Sequence, residues 1–344
     1  MAVKEQPPLS KFYSKKRILI TGASGYIAWN LIRQLAEFNC TIICFSRNTE
    51  RIEKQSAKAN FEFIETSYQD GNSFKAAVKN VDIIYHLASQ TSVYEAEKNP
   101  MADFEANVRP MQLLLEACRK EKNCPIIIFS GTSTQCGMPE KLPVDESIPD
   151  KPITTYDFHK LQAENWLKFY TRQGWVEGVS FRLTNVYGPG PKSSSSDRGI
   201  LNLMIKKALN GEDLTVYGKG EYIRDYVYID DVVSAFLTAL YNINDLKGKH
   251  FILGSGEGST IHETIVLMGE LVTLKTGNKV NVINVQPPSG LLQIEFRDFV
   301  SDMSTFSLLT GFKPRFMLRE GIGKTIESSL IGRTNFNEEL LHST

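Results

Sequence analysis

From residue 17 onward, short apolar runs rich in β-branched residues alternate with stretches of helical periodicity. Arg17-Ile-Leu-Ile-Thr21 is a compact apolar run that stops at Gly22, the mark of a strand buried on both faces. Tyr26 to Phe38 sets Ile27, Leu31, Leu35 and Phe38 at helical spacing. Thr41-Ile-Ile-Cys-Phe45 reads as a second strand and Phe61-Glu-Phe-Ile64 as a third. Phe74 to Val78 is a short helix, and Val81 to Leu87 a fourth strand. Asp103 to Lys122 reads as one long helix, Ile126 to Phe129 as the next strand, Tyr156 to Arg172 as another long helix, and Val179 to Leu183 as a further strand. This alternation predicts an α/β fold, a doubly wound parallel sheet joined by right-handed crossovers.

After residue 185 the rhythm changes. Gly188-Pro-Gly-Pro191 and the run Ser193 to Ser196 read as a loop, either a solvated connection or a lid over a ligand. Shorter strands and helices continue to about Ser329. The expected organisation is a flexible arm at 1–14, a first domain of 15–184 plus 226–256, a smaller α/β C-terminal substrate domain of 185–225 plus 257–330, and a frayed polar tail at 331–344.

Composition adds exclusions. The 344 residues carry 39 Lys+Arg against 39 Asp+Glu, so no global basic field exists to hold nucleic acid or an anionic membrane. Cys40, Cys44, Cys118, Cys124 and Cys136 form no CxxC pair, and no His cluster has zinc spacing, so neither a disulfide scaffold nor a metal site is expected. Met1 to Lys16 lacks an apolar core of signal-peptide length, and no run of eighteen apolar residues occurs. A cytoplasmic protein is the expectation.

The chemistry begins at the first strand's end. In Thr21-Gly22-Ala23-Ser24-Gly25-Tyr26-Ile27-Ala28, the two glycines let the backbone turn tightly, and the helix start offers N–H groups to a pyrophosphate. Gly22, Ser24, Gly25, Tyr26 and Ile27 are therefore candidate dinucleotide contacts. An NAD site usually has an acid at the end of the second strand; here stand Ser46, Arg47 and Asn48. A serine and an arginine suit a 2′-phosphate, so NADP is favoured over NAD.

Tyr156 and Lys160 are four apart and share a helix face. An ammonium nearby favours phenolate, making Tyr156 a usable acid or base near neutral pH. Thr132 lies in the hydroxyl-rich stretch Ser130 to Gly137, just after a strand, where parallel-sheet sites gather. A hydroxyl there can hold a substrate oxygen beside Tyr156.

With these motifs in order, the chain resembles the extended short-chain dehydrogenase/reductases, specifically the NAD-dependent epimerase/dehydratase family acting on nucleotide sugars. The resemblance runs from about Arg17 to Gly323. It rests on Gly22/Gly25/Ala28, His86-Leu-Ala-Ser89, Tyr156/Lys160, Asn185-Val-Tyr-Gly-Pro-Gly190 and Arg224-Asp-Tyr-Val-Tyr-Ile-Asp-Asp231. It implies a Rossmann-type first domain, with Leu87, Ala88 and Ser89 lining the cofactor and Lys160 binding its ribose. Thr132 falls at the family's catalytic Ser/Thr. Asn185, Arg224 and Arg297 match ligands of a nucleotide sugar's diphosphate, and Asn202, Leu203 and Tyr217 would flank the nucleotide. A homodimer joined through the two long helices is implied as well.

Departures narrow the reaction. Family dehydratases carry Asp-Glu directly after the catalytic Thr, decarboxylases tend to place Glu and 3,5-epimerases Cys at position 134; here stand Ser133 and Thr134. Cys136 replaces a common Tyr, and Ser67 an adenine-contacting Asp. Thr-x-Thr is closest to the Ser-x-Thr of nucleotide-sugar 4-epimerases. The expected activity is 4-epimerisation through a transient 4-keto sugar. The alternative is an NADPH-dependent ketosugar reductase; a 4,6-dehydratase or a cofactor-binding regulatory protein stands further off.

Overall fold

The computed structural model describes residues 8–50, 52, 58–191 and 199–342. Seven parallel strands form the main sheet: β1 (Arg17–Thr21), β2 (Thr41–Ser46), β3 (Asn60–Glu65), β4 (Ile83–His86), β5 (Ile126–Thr132), β6 (Glu177–Leu183) and, much later in the chain, β10 (His250–Leu253). Their order is β10-β6-β5-β4-β1-β2-β3. The order reverses between β1 and β4, and the carboxyl ends there form the crevice in which such sheets bind ligands.

Away from the edge strand β3, whose residues alternate, both faces of the sheet are dry, which is why its strands are continuous apolar runs. Along β1, Ile18 and Ile20 join one buried cluster and Leu19 the other. On the first face helix α2 (Tyr26–Leu35) packs with the helix at Ile229–Ala239. On the second lie Phe74, Met111, Leu114 and Leu115 and the helix Thr155–Arg172.

Three expectations change. The single helix over Asp103 to Lys122 is two, Pro100–Asn107 and Arg109–Glu121, parted at Val108. Pro110 has no N–H to continue the first ladder and is tolerated only in the first turn of a new helix. Residues 8–14 are no loose arm: α1 (Leu9–Phe12) leads to Tyr13, which is fully buried, its hydroxyl 2.7 Å from that of Tyr85. The tail from 331 carries the end of a helix, Leu318–His342.

The smaller C-terminal part holds two sheets: β7 (Asn185–Tyr187), β9 (Ile223–Tyr228) and β11 (Gly258–Thr260) in the order β11-β9-β7, and β8 (Leu214–Tyr217) paired with β12 (Val282–Val285). Because β9 belongs here, the chain re-enters the main sheet through Ile229–Ala239 and β10, after the expected residue 226. Buried Asp225 on β9 ties the parts together. Its carboxylate accepts from the N–H groups of Ser255 (2.7 Å), Gly256 (3.1 Å) and Ser301 (3.0 Å) and from the hydroxyls of Ser255 and Ser301. The serine run at 193–196 lies outside the described residues.

Candidate active site

The site is built on the carboxyl ends of β1, β4 and β5. At the end of β1, Gly22 has φ +71, and a Cβ there would lie 2.7 Å from the backbone nitrogen of Ala88. Only glycine allows the β1 and β4 termini to come this close. Thr21 closes the contact: its hydroxyl receives the Ala88 N–H at 3.2 Å and meets His86 Nδ1 at 2.9 Å. Helix α2 starts at Gly25 with no side-chain cap, so its positive end is open to an anion. A crevice that a Cβ would fill and an uncapped helix start fit a dinucleotide's pyrophosphate. Gly22, Ser24, Gly25 and Ile27 line that turn. Tyr26 points elsewhere, donating to the Gly188 carbonyl at 2.9 Å.

Tyr156 and Lys160 lie in the first turns of Thr155–Arg172. Tyr156 packs in an apolar cluster with Val93, Ala96 and Ile294. Lys160 is almost wholly buried, its Nζ 4.4 Å from the centroid of the Phe129 ring. Next to it His86 is pushed down to about 3, by burial and then by the Lys160 charge, so it stays neutral. One cation therefore dominates this corner.

Thr132 ends β5 and caps a short 3₁₀ turn, Ser133–Cys136. Its backbone N–H donates to Gln135 Oε1 at 3.0 Å, and Gln135 Nε2 donates to Glu164 at 3.1 Å. The Thr132 hydroxyl lies 2.7 Å from that of Thr134, and Thr134 in turn donates to the buried Asp157 carboxylate. The Thr132 turn is thus stitched to the Tyr156 helix.

Ser89 spends its hydroxyl inward, donating to Asn107 at 2.6 Å. Asn107 and Gln90 donate to Asp103 at 2.9 and 2.8 Å, and His159 Nδ1 meets its other oxygen at 2.7 Å. Burial pushes the Asp103 carboxyl up, against the pull of its hydrogen bonds. This polar cluster, behind Leu87 and Ala88, was invisible in the sequence. Its members run from Ser89 to His159, and apart from the neighbours Ser89 and Gln90 and the helix pair Asp103 and Asn107, nothing in local spacing joins them.

Across the crevice, Arg224 is buried and donates to the carbonyls of Ile223 (3.1 Å), Glu295 (2.7 Å) and Arg297. Burial holds its pKa below the ordinary value. Arg297, itself buried, donates to Ile294 O at 2.7 Å. Carbonyl partners orient the Arg224 guanidinium without cancelling its charge, as an anion site needs. Asn185 donates to Asp225 O at 3.0 Å. Asn202 clamps the Gly188 turn, donating to its carbonyl at 2.8 Å and accepting its N–H at 3.2 Å. Leu203 and Tyr217 are solvent-exposed.

Comparison with known proteins places the chain in a family. The model of the NAD dependent epimerase/dehydratase family matches residues 18–254, and the chain belongs to that family. It is 28% identical over 310 residues to a putative UDP-glucose 4-epimerase of Methanocaldococcus jannaschii, covering 90% of this chain and 97% of the relative. The UDP-glucose 4-epimerase of Thermotoga maritima, solved with UDP-glucose, is 27% identical with a TM-score of 0.80, over 92% of this chain and 99% of that one. The UDP-glucose 4-epimerase of Thermus thermophilus, solved with NAD, is 26% identical with a TM-score of 0.75, over 91% and 98%. The chain is a nicotinamide-dependent enzyme of this family.

The expectation of NADP is overturned. The family is NAD dependent, and the Thermus relative was solved with NAD. The side chains give the reason. Ser46 is buried, its hydroxyl 2.7 Å from that of Ser24 and also bonded to Tyr68, so it is not held out for a 2′-phosphate. Arg47 lies over the Tyr68 ring at 5.8 Å, and the Asn48 N–H donates to Ser46 at 3.4 Å. Tyr68, just after β3, went unnoticed because an aromatic there reads as ordinary packing.

Proposed function

We propose that the protein is a nucleotide-sugar 4-epimerase. The carrying observation is the hydroxyl of Thr132, fixed at the end of β5 and bonded through Thr134 to the helix that bears Tyr156 and Lys160. NAD, when bound, would supply the hydride-accepting and hydride-donating chemistry. The chain's residues do the rest. Gly22, Gly25 and the α2 start bind the pyrophosphate; Lys160 holds the ribose and favours the Tyr156 phenolate. Tyr156 takes the proton from the C4 hydroxyl, and Thr132 holds that oxygen. Arg224 and Arg297 bind the diphosphate across the crevice, with Asn185 beside them, while Leu203 and Tyr217 flank the nucleotide.

Two points support epimerisation over elimination. Positions 133 and 134 hold hydroxyls rather than carboxylates, and a hydroxyl cannot serve as a carboxylate base. The carboxylate bonded to Thr134, Asp157, is fully buried and engaged by two threonines. A homodimer belongs to this reading. Phe158, Trp166 and Phe169, on the helix Thr155–Arg172, are 49%, 37% and 40% exposed. Their apolar surface calls for a partner, and light scattering at one protomer's mass would remove the dimer. Among the described residues no helix is long and apolar enough to cross a membrane.

The test is incubation of UDP-glucose with the enzyme and catalytic NAD, with UDP-galactose measured by chromatography. Tyr156→Phe should lose activity about 100-fold or more, the usual worth of a positioned acid/base. Consumption of reduced cofactor mole for mole with product, or wild-type turnover kept by Tyr156→Phe, would overturn the reading.

A further inference from the structure

Beneath the Thr132 hydroxyl lies a hydrogen-bond chain whose direction is fixed at its far end. Asp157 stands in the first turn of an 18-residue helix capped by Thr154, where the helix's positive end favours a carboxylate. Its two oxygens are taken separately. Thr154 donates its hydroxyl to Oδ2 at 2.7 Å, and Thr134 donates its hydroxyl to Oδ1. A carboxylate only accepts, so the single Thr134 proton is committed to it. The 2.7 Å bond between Thr134 and Thr132 must then run the other way, with Thr132 as donor. Thr132 Oγ1 also takes the Thr134 N–H, at 3.4 Å. Its one proton thus points into the protein, and what it retains for the crevice is lone-pair density.

We propose that Asp157, acting through Thr134, is a positioning residue that makes Thr132 a hydrogen-bond acceptor in the resting enzyme, so that the site selects a sugar hydroxyl over a sugar ketone. A hydroxyl can offer its single proton to Thr132 in the resting complex and turns that same proton to Tyr156 when the transfer occurs. A carbonyl has none; to be held it must turn the Thr132 proton outward and break the chain to Asp157. The preference fits an enzyme that oxidises its substrate first. The inference rests on the 4-epimerase reading and names the oxidation state that its site receives.

The discriminating measurement is the ratio of two dissociation constants in the presence of NAD, by calorimetry. One probe is UDP-glucose; the other is its 4-ketone counterpart, UDP-4-keto-6-deoxyglucose, with UDP-6-deoxyglucose as the control for the missing hydroxyl at C6. Thr134→Val is nearly isosteric and keeps the Thr154–Asp157 cap but takes a donor from Asp157 Oδ1, so its fold is checked by circular dichroism, and Thr134→Ser, which keeps that donor, is measured beside it. It frees the Thr132 proton, and the preference for hydroxyl over ketone should fall about fivefold to tenfold, the worth of one re-aimed hydrogen bond. Asp157→Asn should narrow the ratio in the Thr134-containing enzyme but not in the Thr134→Val background, because it acts through that residue. Thr134→Ser should restore the wild-type ratio. A purely structural role for Asp157 would weaken both probes equally. A ratio unchanged by Thr134→Val, or additive effects of the two substitutions, would overturn the assignment. Wild-type enzyme that binds none of the three probes would overturn the 4-epimerase reading itself, and this assignment with it.

Discussion

Glu164→Gln tests the buried scaffold on which the Thr132 turn stands. Glu164 is fully buried and accepts from Arg182 Nη2 (2.7 Å) and Nε (3.1 Å), Lys168 Nζ (2.6 Å), Ser180 Oγ (2.8 Å) and Gln135 Nε2 (3.1 Å). Arg182 is itself almost wholly buried, with the exposed Asp150 as a second anion among the described residues, at 2.6 Å. Gln keeps the shape but removes the charge, and its NH₂ must face a donor already aimed at it. Removing one partner of a buried ion pair costs about 3–5 kcal/mol. That is a large share of the roughly 5–15 kcal/mol that holds a domain folded. The pH dependence has a definite sign. Burial alone would raise the Glu164 carboxyl, but the Arg182 hydrogen bonds and the charges of Arg182, Lys168 and His250 outweigh it and hold the group well below the usual range. Its contribution is therefore present above the unfolded carboxylate value of about 4.3 and is lost as pH falls toward the depressed folded value. Urea unfolding of both proteins should show the gap at its full size at about pH 7 and narrowing between about pH 4 and about pH 2. Because Gln135 links Glu164 to the Thr132 N–H, turnover should fall too. A stability loss under about 1 kcal/mol, or a gap that does not change with acid, would refute the reasoning.

The other predictions are simpler. Gly22→Ala forces a left-handed residue, at about 1–2 kcal/mol, and drives a methyl group against the Ala88 backbone; NAD affinity should weaken at least about tenfold by fluorescence titration of the reduced cofactor. The same titration should show NAD(H) binding ahead of NADP(H) in the wild type, and Ser46→Ala should leave that order unchanged. Tyr13→Phe leaves the buried Tyr85 hydroxyl short of a partner and should cost about 1–3 kcal/mol in urea unfolding, whereas a free arm would register nothing. Asp225→Asn should lower the melting temperature by several degrees, for a loss of about 2–4 kcal/mol, because several donors converge on its two oxygens.

The sequence by itself determined the layered α/β plan, because continuous β-branched runs alternating with helical spacing admit few other arrangements. It also marked the turn at Gly22 and Gly25, between a strand and a helix start, which the structure shows as a tight glycine turn at an uncapped helix. These are local properties, written in consecutive residues. It could not say which side chains were already spent. Ser46 and Arg47 are the right residue types for a 2′-phosphate, yet Ser46 is held by Ser24 and Tyr68, from two other segments. The break at Val108 was legible in Pro110, but the regular apolar spacing over Asp103 to Lys122 outweighed it. Only the tertiary structure brought Asp157 under Thr134, joined Ser89 to Asp103 through Asn107, and buried Tyr13 against Tyr85. Polar contacts between distant segments depend on register and burial, which periodicity does not encode. They decide which hydroxyl donates, which accepts and which charge stays uncancelled at the site.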